Sequence, residues 1–144
     1  MKNLVTSSNA YLVLILLKFT MGIIHIEGII KWGEKEERVK FLVDSGATYT
    51  VIQRSIWERL GLIPKRSVEL ILADGSTIIR QLSEAIIELP SYGQYYTPVI
   101  LGEEGDENLL GTVTLEIFGL MLDPLKRELR PIKAILKLFN AMNV

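Results

Sequence analysis

The turn Asp44-Ser45-Gly46-Ala47 constrains this chain more than any other segment, because it directly follows the apolar run at residues 39–43. A short apolar run of this kind is typical of a strand that packs in a core. The strand therefore carries a carboxylate, a hydroxyl and a glycine into a half-buried turn. The glycine lets the backbone approach closely, so that its N–H can bond the carboxylate. The sequence predicts that Asp44 lies at a built site and not on a solvated surface.

Several kinds of chemistry are excluded by composition. The chain has 144 residues, which predicts one domain, and it has no cysteine and a single histidine, His25. Thiol catalysis, disulfides and cysteine-ligated metals are therefore excluded, and one histidine cannot build a multi-histidine metal site within a single chain. We expect no metal and no cofactor. The net charge is −1 and no dense basic stripe is present, so we expect no nucleic-acid partner.

The two ends of the chain differ from the middle. Residues 1–20 contain an apolar run at 10–17, which is shorter than the roughly 20 residues that span a bilayer. Three interpretations stay open: an extra element packed on the domain, a membrane anchor, or a true start at Met21. We favour a segment outside a domain at 21–132. We therefore expect a cytoplasmic protein, or a membrane-associated one if residues 1–20 are kept as an anchor. The tail 133–144 has apolar residues at helical spacing and is expected to form a helix.

Between these ends, short apolar runs and turn signals predict a mostly β fold with one or two short helices. Asp74-Gly75 between apolar runs is a strong hairpin signal, and Gly61 marks a helix end. The expected elements are strands at 24–30 and 38–43 around a polar turn at 33–37, a helix at 53–60, strands at 68–72 and 77–79, strands at 85–89 and 97–101 around a loop at 90–96, an acidic loop at 102–108, a segment of unclear phase at 112–118, and a hairpin with strands at 120–122 and 128–132.

The order of these pieces resembles the retropepsin-like aspartic proteases, the single-lobed relatives of pepsin found in retroviruses, retroelements and cells. Their signature is an Asp-Thr/Ser-Gly-Ala/Ser turn after an apolar strand, a hairpin flap, and a later apolar-apolar-glycine triplet. This chain has Asp44-Ser45-Gly46-Ala47, a hairpin at 73–76 and Leu109-Leu110-Gly111, in that order. The resemblance covers residues 22–130, which is most of the chain.

The resemblance implies a single-lobe acid-protease barrel that assembles as an obligate two-fold homodimer, with one catalytic aspartate in each subunit. Asp44 corresponds to that aspartate. Ser45 corresponds to a hydroxyl that hydrogen-bonds across the dimer axis, and Ala47 borders the substrate channel. The flap that closes over an extended polypeptide substrate corresponds to Ala73, Asp74, Gly75, Ser76 and Thr77. The triplet Leu109, Leu110 and Gly111 is expected to pack under the active-site turn.

The residue types in this chain, taken without the resemblance, also indicate hydrolysis by a pair of carboxyl groups. Without cysteine, a metal or a usable histidine, peptide hydrolysis requires two carboxyl groups that act on a water molecule as general acid and general base. The other aspartates have simpler interpretations. Asp74 is a hairpin-tip residue, Asp123 precedes a proline in a turn, and Asp106 lies in a solvated loop. A second Asp44, supplied by a two-fold-related copy, completes the pair. We therefore expect an aspartic endopeptidase whose partner is a second copy of itself.

Some features depart from the family pattern. Viral members carry a glycine-rich flap tip, whereas this chain places the charged Asp74 there. The chain also extends beyond Arg130, and neither terminus is an obvious match to the interleaved terminal strands of the viral dimers. A dimer contact near residues 129–139 is therefore expected in their place.

Two other functions remain as alternatives. The fold can act as a catalytically silent dimerisation or peptide-binding module, although such a module has no need of the carboxylate. Ser45 can also be read as a hydrolase nucleophile, but no nucleophile-elbow motif surrounds it and only His25 could serve as its base.

Overall fold

The computed structural model describes residues 24–132, and this part of the chain is mostly β, as predicted. The apolar segment at 1–20 and the helix expected in the tail lie outside the described residues. Nine strands and two short helices occur between residues 24 and 132. In chain order they are β1 (His25–Trp32), β2 (Lys35–Val43), β3 (Thr50–Ile52), α1 (Arg54–Leu60), β4 (Arg66–Ile71), β5 (Thr77–Leu89), β6 (Gly93–Leu101), β7 (Leu109–Leu110), α2 (Thr112–Ile117), β8 (Leu120–Asp123) and β9 (Glu128–Pro131).

Six of the strands form a sheet that closes on itself. The order is β1-β2-β7-β3-β6-β5, and β5 pairs again with β1 where Ile30 lies opposite Ile87. The β2–β7 and β3–β6 pairs are parallel, and the other strand pairs between residues 24 and 132 are antiparallel. Closure leaves few free strand edges on this sheet. β4 pairs only with the first half of β5, so the β4–β5 hairpin extends the sheet beyond its closed part.

The core lies inside the closed sheet and positions the end of β2. Phe41, Leu42 and Val43 are all buried at the end of that strand, so both of its faces are covered there. Burying one large apolar side chain contributes roughly 1.5–3 kcal/mol. The last residues of β2 are therefore strongly held, and Asp44 follows them directly.

Helix α1 forms and ends as the sequence predicts. Ile56 and Leu60 face the core, and Gly61 follows in the left-handed conformation with φ 73°. The Gly61 N–H donates to the Glu58 carbonyl and the Leu62 N–H to the Trp57 carbonyl, each at 3.1 Å. This pair of bonds satisfies carbonyls at the helix end that would otherwise lack donors.

Three predicted boundaries are wrong, and the reason is the same in each case. A backbone ladder continues through polar residues, which an apolar pattern does not detect. The polar turn expected at 33–37 is only Gly33-Glu34, the strands expected at 77–79 and 85–89 are one strand of 13 residues, and the loop expected at 90–96 ends before Gly93.

The last part of the domain is a helix and a hairpin. The segment of unclear phase forms α2, whose Thr114 and Leu115 are buried. The expected hairpin is present as β8 and β9, and Leu122 lies opposite Leu129. Between residues 24 and 132, neither helix has the length and apolar character needed to cross a bilayer.

Candidate active site

The Asp44 side chain is held by its own turn. Its Oδ1 atom accepts the Gly46 N–H at 2.9 Å, and its backbone carbonyl accepts the Ala47 N–H at 3.1 Å. A Cβ atom at Gly46 would lie 3.2 Å from the same Oδ1, so glycine leaves room for this contact. Asp44 is half-buried, whereas Ser45 and Gly46 are exposed. The turn therefore fixes a carboxylate and presents it to the outside of the chain.

The turn is supported from below by the segment that joins β7 to α2. The Asp44 N–H donates to the Leu110 carbonyl at 3.1 Å. The Thr112 N–H donates to the Ala47 carbonyl at 2.9 Å, and the Val113 N–H to the Thr48 carbonyl at 3.0 Å. The first N–H groups of a helix have no partner within the helix. Here Ala47, the last residue of the Asp44 turn, and Thr48, which follows it, accept two of them, so the helix start and the turn hold each other in place.

Gly111 lies at the closest approach between these two segments. A Cβ atom there would be 2.5 Å from the Tyr49 carbonyl carbon and 2.8 Å from the Thr48 carbonyl oxygen. Both of these atoms belong to the backbone, which cannot move aside as a flexible side chain can. The structure thus places Leu110 and Gly111 against the Asp44 turn and the residues that follow it, and glycine is required at position 111. Leu109 lies beside them, in the ladders to β2 and β3.

Three buried threonines lie next to this support, and the sequence analysis did not single them out. The Thr114 hydroxyl lies 2.6 Å from the Thr50 hydroxyl and 2.7 Å from the Thr97 hydroxyl. The Gly111 N–H donates to Thr50 Oγ1 at 3.1 Å. Threonine is common in strands, so sequence alone gives no signal that these residues meet.

The predicted flap residues form the tip of the β4–β5 hairpin. The Leu72 N–H donates to the Ser76 carbonyl at 2.8 Å, and Gly75 has a φ of 86°. Asp74 Oδ1 accepts both the Ser76 hydroxyl and the Ser76 N–H. These two hydrogen bonds lower the pKa of Asp74 from its ordinary value. The charged residue at the tip is therefore part of a well-bonded turn.

Below the tip, the hairpin exposes large apolar side chains that the sequence analysis counted only as strand residues. Ile71 is 78% exposed and Ile79 is 66% exposed. Alternate residues of a strand share a face, so Ile79 lies on the same face of β5 as Ala85 and Ile87, which are fully buried. Ile71 lies on that face too, because it is opposite Thr77 in the ladder. The inward-facing side of the closed sheet thus continues along the hairpin, where the two isoleucines share it with polar residues, since Glu69 lies opposite Ile79.

The remaining aspartates are each engaged in a local turn. Asp106 Oδ2 accepts the Glu103 N–H at 2.7 Å within the acidic loop. Asp123 Oδ1 accepts the N–H groups of Leu125 and Lys126, and its Oδ2 accepts from Arg130. The bond from Lys126, and then that from Arg130, lowers the pKa of Asp123. The described part of the chain contains no group of three or more histidine, aspartate or glutamate side chains suited to hold a metal ion.

The histidine lies beside the end of β2. His25 begins β1, opposite Leu42, and is exposed. It lines an open pocket of about 400 Å³ together with Lys40, Gln53 and residues 104–108 of the acidic loop.

A mostly β single lobe, with an Asp-Ser-Gly turn at the end of a buried strand, is the arrangement expected of the aspartic-protease class. The sequence profile of the gag-polyprotein putative aspartyl protease family matches residues 34–116 of this chain. That match covers more than half of the chain and runs from the start of β2 into α2, so the chain belongs to this family. The predicted retropepsin-like relationship is confirmed. A search of curated proteins finds no match to the chain.

Proposed function

We propose that this protein is an aspartic endopeptidase in which two copies of Asp44, one from each subunit of a homodimer, activate the attacking water. The observation that carries this proposal is the geometry of the Asp44 turn. The carboxylate follows a buried strand, keeps Oδ1 on the Gly46 N–H, and lies in a turn where Ser45 and Gly46 are exposed. The family supports protease activity at the level of class.

The proposed reaction requires one ionised and one protonated carboxyl group. Two carboxyls held a few ångströms apart cannot both ionise, so such a pair shares one proton, as in aspartic proteases generally. The ionised group takes a proton from water while the water oxygen attacks the scissile carbonyl carbon. The protonated group donates its proton to the carbonyl oxygen. Collapse of the tetrahedral intermediate then breaks the C–N bond, and the proton held by the first group passes to the leaving amine. The second group takes a proton from one hydroxyl of the intermediate as the C=O bond forms again, so the pair ends with one proton, as it began.

A second subunit is needed because Asp74, Asp106 and Asp123 each belong to a turn of their own. A two-fold axis beside the exposed face of the Asp44 turn would bring two identical turns together. Ser45, which is exposed beside Asp44, would then hydrogen-bond across that axis and brace both turns. Asp44 Oδ1 is occupied by the Gly46 N–H, which leaves Oδ2 for the water and for the partner carboxyl.

The substrate in this proposal is an extended polypeptide bound under the β4–β5 hairpin. An extended peptide can add to a sheet through backbone hydrogen bonds while its side chains occupy alternate pockets. The exposed Ile71 and Ile79 continue the inner face of the sheet along the hairpin and supply an apolar surface for such side chains. Closure of the hairpin would exclude water from the reacting bond.

The test compares two aspartate variants on hydrolysis of an unstructured protein at mildly acidic to neutral pH. Asp44→Asn is expected to abolish cleavage, because the amide can neither accept nor share the proton. Asp123→Asn is the matched control, since Asp123 also accepts backbone N–H groups in a turn but lies outside the proposed site. Cleavage by Asp44→Asn at the wild-type rate would refute the proposal. A wild-type dimer that cleaves nothing would favour the silent module.

A further inference from the structure

The buried threonine cluster forms one directional chain of hydrogen bonds. The Gly111 N–H can only donate, and it donates to Thr50 Oγ1 at 3.1 Å. At the other end, the Thr97 hydroxyl donates to the Pro98 carbonyl, which can only accept, at 3.4 Å. Each hydroxyl between these ends has one proton. One arrangement uses every proton: Thr50 donates to Thr114, and Thr114 donates to Thr97.

The three hydroxyls are buried, so the loss of one of their hydrogen bonds would affect stability. Thr50 and Thr114 are 0% exposed and Thr97 is 1% exposed. In the part of the chain that the structure describes, every buried side-chain nitrogen and oxygen has a hydrogen-bond partner. A buried donor that loses its acceptor destabilises a fold by about 1–3 kcal/mol. The Gly111 N–H would be such a donor without the Thr50 hydroxyl.

One end of this series of hydrogen bonds lies at the backbone that supports the Asp44 turn. Gly111 is the residue whose Cα lies against the Tyr49 backbone, and the next two N–H groups bond the carbonyls of Ala47 and Thr48. Thr50 is the first residue of β3 and comes three residues after Ala47, where the turn ends. Its hydroxyl therefore joins the strand that leaves the turn to the segment beneath it.

We propose that Thr50 is a positioning residue of the active site: its hydroxyl oxygen holds the Gly111 N–H and so fixes the β7–α2 segment against the Asp44 turn. Thr114 accepts the Thr50 proton, which directs that proton away from Gly111 and leaves the lone pairs of the Thr50 oxygen free to accept. The kinetic part of this inference rests on the proposed function. Its structural part stands independently of it.

The structure offers a matched pair of variants. Thr50→Val and Thr97→Val each remove one fully buried strand hydroxyl and each take one hydroxyl partner from Thr114, but only the first removes the acceptor of Gly111. Amide hydrogen exchange at Thr112 and Val113, measured relative to the core amide of Ile87, is expected to rise about tenfold in Thr50→Val. It should stay at the wild-type ratio in Thr97→Val and in Thr50→Ser, which keeps the hydroxyl.

A further variant covers the case in which Thr50→Val does not fold. Thr114→Val keeps the Thr50 oxygen but removes the acceptor of its proton, and it should raise the same exchange ratio by a smaller factor. An unchanged ratio in Thr50→Val or Thr114→Val, or equal increases in Thr50→Val and Thr97→Val, would overturn the inference.

Kinetics separate this inference from the proposed function. Thr50→Val should lower kcat about tenfold with KM unchanged, because the turn holds the reacting group and not the substrate. Thr97→Val should retain the wild-type kcat. A wild-type protein that hydrolyses no substrate would contradict the proposed function. The exchange ratios would still decide whether Thr50 holds the Gly111 segment.

Discussion

Two glycines, one in the Asp44 turn and one beneath it, are closely approached by other atoms, in one case a side chain and in the other the backbone. Gly46 leaves room for the bond between its own N–H and Asp44 Oδ1. Gly111 is needed because a Cβ atom there would overlap the backbone at Tyr49. Neither has a positive φ, so close approach is the requirement and left-handed geometry is not. The sequence signature around Asp44 contains the first glycine, and the later apolar-apolar-glycine triplet contains the second.

Gly111→Ala should destabilise the protein by about 1–3 kcal/mol, because the backbone at Tyr49 would have to move away from the new methyl group. Gly105→Ala is the control: it adds the same methyl group in the acidic loop, where nothing lies within 4 Å of the added Cβ. Its effect should stay within about 0.5 kcal/mol. Urea unfolding of both variants measures these effects. Equal unfolding midpoints would show that the close contact with Tyr49 does not contribute to stability.

At the scale of elements, local signals predicted what is local. Gly61 ended α1 and Asp74-Gly75 formed a hairpin tip, because the conformation of each depends on neighbouring residues. The continuity of β5 was missed, since the polar residues in its middle are held by ladders to β4 and β6. The return of β5 to β1 at Ile87 joins residues 57 positions apart, and no local pattern encodes it.

The exposed face of the β4–β5 hairpin yields a prediction at this scale. Replacing Ile71 and Ile79 together by serine should raise KM for a polypeptide substrate about tenfold, because the substrate loses apolar surface to bury. Global stability should change by less than about 0.5 kcal/mol, since both side chains are exposed already. Steady-state kinetics and urea unfolding measure the two effects.

The matched control for the hairpin is Leu125→Ser. Leu125 is 94% exposed, at the turn between β8 and β9, and it is not part of the proposed substrate surface. An equal rise in KM for this variant would mean that exposed apolar area in general, and not the β4–β5 hairpin, governs substrate binding.

At the scale of the whole molecule, the sequence predicted the position of the reacting residue, Asp44, better than it predicted the residues that hold the Asp44 turn in place. Asp44 can be identified from the sequence because a short motif surrounds it, and the residues that match the family include it. Thr50, Thr97 and Thr114 come from three separate elements and meet only after the sheet has closed. Their roles could not be inferred from spacing. The aspartates, in contrast, can be counted directly in the sequence, which has four.

The central claim is that each subunit contributes one Asp44 to a shared site, and mixing subunits tests it most directly. Wild-type and Asp44→Asn chains are unfolded, mixed in equal amounts and refolded together at a fixed total concentration. With random pairing about one quarter of the dimers carry two intact aspartates, so the hydrolysis rate should be about a quarter of that of refolded wild-type protein. A rate of one half would show that each chain acts alone and would contradict the account.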